Sequence, residues 1–142
     1  MLRMNRRARA AGTQPDYSLC DQTVTVYHQD AEKHVRRTVI HGGYLDFKSV
    51  HTLDKTGGKT ERTFLLIIPQ SACAYVPPGE YTGAPGTYTL AALDKVYFNE
   101  GPKVDDAAWA SFIPARVGGL LVVRQVDPKY LCGSLCHVEA SG

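Results

Sequence analysis

The sequence lacks the long apolar run of a membrane protein, since no segment approaches the roughly 18 consecutive apolar residues of a membrane-spanning helix. It also lacks the apolar core of a secretory signal, because residues 1–14 carry four arginines and no acidic residue. Without such a signal, four cysteines do not indicate a disulfide framework. We therefore expect free thiols in a soluble intracellular protein.

Motifs for catalysis and metal binding are missing as well. There is no HExxH pair, no CxxC pair and no serine in a nucleophile elbow. Cys132, Cys136 and His137 form the sharpest candidate for a zinc site, but a fourth ligand is absent. One continuous strand would place the two cysteines about 13 Å apart, and only a tight hairpin at Gly133-Ser134 could bring them together. The sequence therefore predicts no enzyme activity, no cofactor and no metal site.

Residues 53–62, LDKTGGKTER, come nearest to a nucleotide-binding motif. A phosphate-binding loop has the pattern GxxxxGK[ST] and leads into a helix, whose N–H groups hold the phosphate. Position 53 is Leu53 rather than glycine, and the apolar run FLLII ending at Pro69 predicts a buried strand. The segment is therefore predicted to be a polar hairpin with a positive-φ tip at Gly57-Gly58.

Strand patterns dominate the rest of the chain. Val24 and Val26 alternate with polar residues, and a longer pattern is interrupted by Gly42-Gly43, which predicts a bulge or a sharp bend. A turn is expected at Asp127-Pro128. The predicted strands cover residues 22–28, 35–50, 64–68, 94–99 and 120–126, with a last short strand in SLCHVEA.

One short helix is predicted over residues 105–112. Asp105 can cap its N-terminus, Pro114 stops it, and Trp109 is its expected anchor to the core. Because no β-α-β alternation is present, we predict an all-β protein, a small β-barrel of about six or seven strands with long projecting loops. The barrel domain is expected to span residues 16–142, after a basic N-terminal arm over residues 1–15.

Several segments together resemble the small minor-capsid or neck proteins of tailed bacteriophages and prophages, of the head-closure (stopper) type. The segments that carry this resemblance are CDQTVTVYHQD at 20–30, RTVIHGGYLDFKSVHTLDKTGGKTERTFLLIIP at 37–69, DKVYFNEGP at 94–102, WASFIP at 109–114 and VVRQVDPKYLCGSLCHVEA at 122–140. The match is to an overall pattern and excludes the arm.

The resemblance implies a structural virion protein of the head-tail connector, or neck. Such a protein forms a homo-oligomeric ring, commonly of twelve copies, below the portal and its adaptor, closes the DNA channel and joins the head to the tail. Its implied partners are the portal or adaptor ring, a tail terminator or tail tube protein, and packaged DNA bound without sequence specificity, with no membrane. It would be assembled in the host bacterial cytoplasm and reside at the head–tail interface of the virion.

Two alternatives stay open: a tail terminator or tail completion protein of the same neck, and a free nucleic-acid-binding β-barrel. Three segments could reach partners, namely the arm, the loop at 51–62 and the Pro/Gly-rich loop at 70–89. The tyrosines of the last loop suggest that it packs on a surface.

We expect the loop at 51–62 to face the channel and its DNA, since its formal charge is +1 and a ring multiplies that charge. The residues assigned to this contact are His51, Lys55, Gly57, Gly58, Lys59 and Arg62. The residues assigned to contacts of the arm are Arg3, Arg6, Arg7 and Arg9. An ordinary exposed hairpin and an ordinary solvated tail are the alternatives for these two segments.

Overall fold

The computed structural model describes residues 16–54 and 57–142, and in residues 48–54 and 57–62 it describes the backbone alone. Nine strands account for most of the regular structure. They are β1 (Gln22–Gln29), β2 (Val35–Asp54), β3 (Gly57–Pro69), β4 (Ala74–Tyr75), β5 (Thr87–Tyr88), β6 (Lys95–Phe98), β7 (Leu120–Val122), β8 (Gln125–Leu131) and β9 (Ser134–Ser141). Two 3₁₀ helices, Pro78–Glu80 and Asp106–Ser111, complete the described elements. The all-β prediction is confirmed.

Seven of the strands form one antiparallel sheet in the order β7-β6-β1-β2-β3-β9-β8. The two outermost strands, β7 and β8, follow each other in the chain and are separated only by Val123 and Arg124. Val123 N–H donates to the Asp94 carbonyl beside β6, and Arg124 N–H donates to the Ser141 carbonyl of β9, both at 2.8 Å. The sheet therefore curls until its edges meet at this bend, although no ladder between β7 and β8 closes it among the described residues.

The curl is set by a bulge in β2. Gln22 pairs with Gly43 and Thr23 pairs with His41, so Gly42 has no partner and lies at φ 110°. A Cβ at this position would approach the Ala72 Cβ to 3.2 Å, which explains why glycine is needed there. The bulge divides β2 into a part that pairs with β1 and a part that pairs with β3. The predicted bend at Gly42-Gly43 is confirmed.

The main core fills the inside of the curled sheet. It consists of fully or almost fully buried side chains from β1, β2, β3, β6, β7 and β9, and the residues after β3 and β5 add Cys73 and Leu90. Alternation along β3 buries Phe64, Leu66 and Ile68. A second, smaller cluster packs Tyr27 and Phe112 against the 3₁₀ helix Asp106–Ser111. Val24 and Val26 of β1 face the main core, whereas Tyr27 faces the second cluster, so β1 is buried on both of its faces.

The helix predicted over residues 105–112 is a 3₁₀ helix of six residues, Asp106–Ser111. Asp105 caps it as predicted, because its carboxylate accepts from Ala108 N–H at 2.9 Å. Trp109 packs partly buried on the second cluster, as expected of an anchor. So short a segment has no room for several i→i−4 bonds, which favours the tighter 3₁₀ form.

The Pro/Gly-rich loop at 70–89 packs at both of its ends. Cys73 and Tyr88 belong to the main core, and β4 and β5 form a two-residue parallel ladder. Tyr75 lies over Tyr88, with ring centroids 5.6 Å apart. The middle of the loop is mostly exposed. The packing expected from its tyrosines is confirmed at the two ends of the loop, through Tyr75 and Tyr88.

The predicted turn at Asp127-Pro128 is wrong, because both residues lie inside β8. The turn comes at Cys132-Gly133, where both residues have positive φ, 51° and 80°. Pro128 is tolerated in the strand because β8 is an edge of the sheet, so its missing N–H leaves no neighbour without a donor. Within the described ranges, no helix is long and apolar enough to cross a membrane.

Candidate functional site

A two-stranded ribbon extends from the sheet where β2 and β3 outrun their other neighbours. In β2, pairing with β1 ends at Gly43; in β3, pairing with β9 begins only at Leu65. Between these points and the tip, Lys48–Asp54 and Gly57–Thr63 pair only with each other in the part of the chain that the structure describes. We call these two runs the ribbon.

The ribbon is long for an unsupported hairpin. Seven residues on each side correspond to about 23 Å at the usual rise of a strand. At its base Phe47 pairs with Phe64, and Phe64 N–H donates to the Gly142 carbonyl at 3.1 Å. Phe47 keeps 46% of its surface exposed, whereas Phe64 is buried. The ribbon therefore leaves the core at this pair of aromatic residues.

The backbone brings together most of the residues expected to face a channel. His51 pairs with Thr60, Lys59 with Thr52 and Arg62 with Ser49. Gly57 and Gly58 pair with Asp54 and Leu53 at the tip. The position of Lys55 lies outside the described residues, as do the side chains of the others. The predicted hairpin is confirmed, but its predicted tip at Gly57-Gly58 is wrong, because both glycines are paired residues of β3. Contact of the hairpin with DNA remains a prediction.

The four arm residues, Arg3, Arg6, Arg7 and Arg9, also lie outside the described residues. The first residue that the structure describes is Asp16, and the next residue, Tyr17, is hydrogen-bonded to the sheet. Tyr17 O–H donates to His137 Nδ1 at 2.7 Å, and His137 Nε2–H donates to Glu139 at 2.9 Å. Burial raises the pKa of Tyr17, and neighbouring Cys136 adds to the effect. The chain is thus held on β9 just after the arm.

The structure gives no helix to the nucleotide-like segment. β3 begins at Gly57 and runs to Pro69, so the glycines lead into a strand as predicted. Across the described ranges, no group of three or more His, Cys, Asp or Glu side chains is arranged to hold a metal ion. Cys132 and Cys136 lie on a tight hairpin, but both are free cysteines. The tight hairpin that the sequence left as a possibility exists, but its turn is at Cys132-Gly133 rather than at Gly133-Ser134.

The structure contains two buried polar contacts that the sequence did not predict. His28 Nδ1–H donates to Asp94 at 2.7 Å, and the same carboxylate oxygen accepts from Ala91 N–H at 2.7 Å. Burial raises the pKa of Asp94, partly offset by the hydrogen bond from His28. The ammonium of Lys95 lies 3.8 Å from the centre of the Trp109 ring and donates to the Trp109 carbonyl at 3.1 Å. No spacing rule joins residues this far apart in sequence.

Both contacts are best explained as parts of the scaffold. His28 and Asp94 fasten the start of β6 to β1, and Lys95 fastens β6 to the 3₁₀ helix. A buried charge survives when it is paired and hydrogen-bonded, as each of these is. They keep rigid the body from which the ribbon extends.

The sequence matches DUF6751, a family of unknown function, over residues 19–142. This covers all nine strands and leaves the whole basic arm outside the match. No curated protein and no solved structure matches the chain.

Proposed function

We propose that this chain, which belongs to the DUF6751 family, is a structural subunit of the neck of a tailed phage. In this proposal, copies of the chain assemble into the head-closure ring below the portal and its adaptor. The ring closes the DNA channel and presents a surface to the tail. The resemblance of the segments at 20–69 and 94–140 to neck proteins is the source of the proposal.

The ribbon is the observation that carries it. A two-stranded hairpin by itself is marginally stable in water, because each strand has one unpaired edge and little apolar surface to bury. This chain nevertheless devotes 14 paired residues to such an extension. An extension of this kind suits a subunit whose neighbours or ligand supply the missing contacts.

The body supports the same function. It combines a curled sheet, an apolar core and buried polar contacts that lock β6 to β1 and to the 3₁₀ helix. A ring subunit has to hold its extensions at a fixed angle while it bears the pressure of packaged DNA. The curled sheet provides that fixed base.

The charge of the loop at 51–62, which forms the outer part of the ribbon and its tip, agrees with a DNA-facing position. Residues 51–62 hold Lys55, Lys59 and Arg62 against Asp54 and Glu61, with His51 neutral. One excess positive charge in each copy becomes a positive collar when copies form a ring. Attraction of that collar to phosphate would be independent of DNA sequence and would weaken as salt rises.

Assembly is tested first. The purified chain is examined by native mass spectrometry and electron microscopy, alone and with portal–adaptor complexes. We expect closed rings, commonly of twelve copies, that bind the portal complex. A chain that stays monomeric under all these conditions would contradict the proposal.

The ribbon is tested in particles assembled with a variant chain. Lys55→Ser and Lys59→Ser are combined with a shortened Gly57-Gly58 tip, and DNA retained in the heads is measured. We expect heads that package DNA and then lose it. The matched control is Lys103→Ser with Arg116→Ser, which removes two exposed positive charges elsewhere. Normal DNA retention by the ribbon variant would exclude the ribbon as the closing element.

A further inference from the structure

The outer face of β8, β9, β3 and β2 carries two rows of side chains. Cross-strand pairing aligns Asp127, Glu139, Ile67 and Tyr44 in one row. The same pairing aligns Gln125, Ser141, Leu65 and Asp46 in the next row. We call these eight residues the outer face.

The outer face is apolar in the middle and acidic at its ends. Leu65 keeps 36% of its surface exposed, and Ile67 and Tyr44 are half-buried. Beside Leu65 and Asp46 lies a cavity of about 220 Å³, which Thr63 and Phe64 also line. Three carboxylates, those of Asp46, Asp127 and Glu139, surround this apolar strip, and Lys129 pairs with Asp127 at 2.6 Å.

The chain that follows the arm lies at the border of this face. His137 lies two residues before Glu139 on the same side of β9, and Tyr17 is bonded to it. Between Tyr17 and β1 the chain passes Gly42, where an added Cβ would lie 3.5 Å from the Cys20 carbonyl. The segment before β1 therefore runs from His137 on β9 to the bulge of β2.

The positive charge of the arm is complementary to the acidic outer face, and the arm is long enough to cross that face. Four of the 16 basic residues fall in residues 1–14, which leaves 12 basic against 14 acidic residues for the rest of the chain. The arm also contains Leu2 and Met4, which suit an apolar strip. Fifteen residues can reach about 50 Å when extended, whereas four strands are crossed in about 14 Å.

We propose that the outer face is the docking surface for residues 1–15 of this chain. The arginines meet the carboxylates of Asp46, Asp127 and Glu139, and the apolar residues of the arm cover Leu65 and Ile67. This inference is independent of a role in a phage neck, because it uses only the charges and the geometry of the chain itself.

Trypsin cleavage of the full chain tests it, because cleavage after Arg3, Arg6, Arg7 and Arg9 tracks the fraction of undocked arm. Asp46→Asn with Asp127→Asn is expected to raise the cleavage rate about fivefold. High salt is expected to raise the rate for the unmodified chain. The control, Glu32→Gln with Glu80→Gln, removes two exposed carboxylates elsewhere and should leave the rate unchanged.

Methyl NMR of the full chain gives a second readout that does not depend on altering the face. Arg6→Ala with Arg7→Ala should shift the methyl signals of Leu65 and Ile67 and leave exposed Leu93 unaffected. Unchanged signals at Leu65 and Ile67 would overturn the inference. An arm that trypsin cleaves equally in all variants, and that only added duplex DNA protects, would also overturn it and assign the arm to nucleic acid.

Discussion

His34 Nδ1 lies 2.9 Å from the carboxylate of Asp106, across 72 residues of sequence, and ties the β1–β2 turn to the 3₁₀ helix. The other oxygen of Asp106 accepts from Val35 N–H at 2.8 Å. The hydrogen bond to Asp106 raises the pKa of His34 above 6.5, and the bond from His34 lowers the pKa of Asp106 below 3.8.

This pair gives the protein a defined pH dependence. The raised histidine pKa contributes stability that is fully present below pH 6.5 and is lost as pH rises through the folded value. The lowered carboxylate pKa contributes stability that is present above pH 3.8 and is lost as pH falls through its folded value. The pair should therefore stabilise the fold most between about pH 4 and pH 6.5.

Replacing Asp106 tests the pair directly. In Asp106→Asn the amide oxygen can still accept from Val35 N–H, but the negative charge is gone. We expect the NMR titration midpoint of His34 to fall toward its ordinary value. Glu80→Gln, an exposed acid in the first 3₁₀ helix, serves as the control and should not move it. An unchanged His34 midpoint in Asp106→Asn would show that the carboxylate does not set the pKa.

Gly42→Ala should destabilise the curled sheet. The residue sits at φ 110°, and its new Cβ would meet the Ala72 Cβ at 3.2 Å. Backbone strain of this kind costs about 1–3 kcal/mol, and we expect a loss in that range in urea unfolding. Gly79→Ala is the matched control, since nothing lies within 4 Å of its added Cβ. Equal stability of the two variants would contradict the role of the bulge.

Tyr88→Phe should leave the fold as stable as before or make it more stable. The Tyr88 hydroxyl is buried and has no hydrogen-bond partner in the described structure, and an unpaired buried hydroxyl is unfavourable. Tyr27→Phe provides the comparison, because the Tyr27 hydroxyl donates to the Pro102 carbonyl at 2.7 Å. That variant should lose about 0.5–1.5 kcal/mol.

Thermal and urea unfolding of the two tyrosine variants are compared side by side. If Tyr88→Phe lost as much stability as Tyr27→Phe, the Tyr88 hydroxyl would have to be paired in solution.

Asp94→Ala should be the most damaging of these changes. It leaves the buried His28 ring and the half-buried Ala91 N–H without their shared acceptor. Removal of one partner from a buried pair costs about 3–5 kcal/mol. Asp105→Ala removes an exposed carboxylate that caps a short helix, and it should cost only about 1 kcal/mol. Similar losses in calorimetry would mean that Asp94 is no more important than a surface cap.

The strands were predictable where local pattern decides structure. Val24 and Val26 alternate, the run from Phe64 to Ile68 is apolar, and the glycine pair at 42–43 marks the bulge; the structure has each of these features. The turn after β8 was not predictable from the sequence, because Asp127-Pro128 is a strong local turn signal. These two residues remain extended only because β8 lies at the edge of the sheet.

Of the two candidate sites, one could be predicted from the sequence and the other could not. The hairpin at 53–62 could be predicted from its polar run and from the apolar strand that follows, but its glycines lie in β3 and did not mark the turn. The outer face could not, since its rows join residues from four strands whose register depends on the whole sheet. Contacts such as His28 with Asp94 likewise arise only when β1 and β6 pair.

The pairing of β3 with β9, which lies about 70 residues later in the chain, has a consequence for synthesis on the ribosome. β3 is complete at Pro69, yet its second neighbour, β9, ends only at Ser141. At ribosomal rates of roughly 5–20 residues per second, the edge of β3 waits for roughly 4–14 s before β9 can cover it. The nascent chain therefore passes through a stage in which the edge of β3 that β9 later covers is exposed.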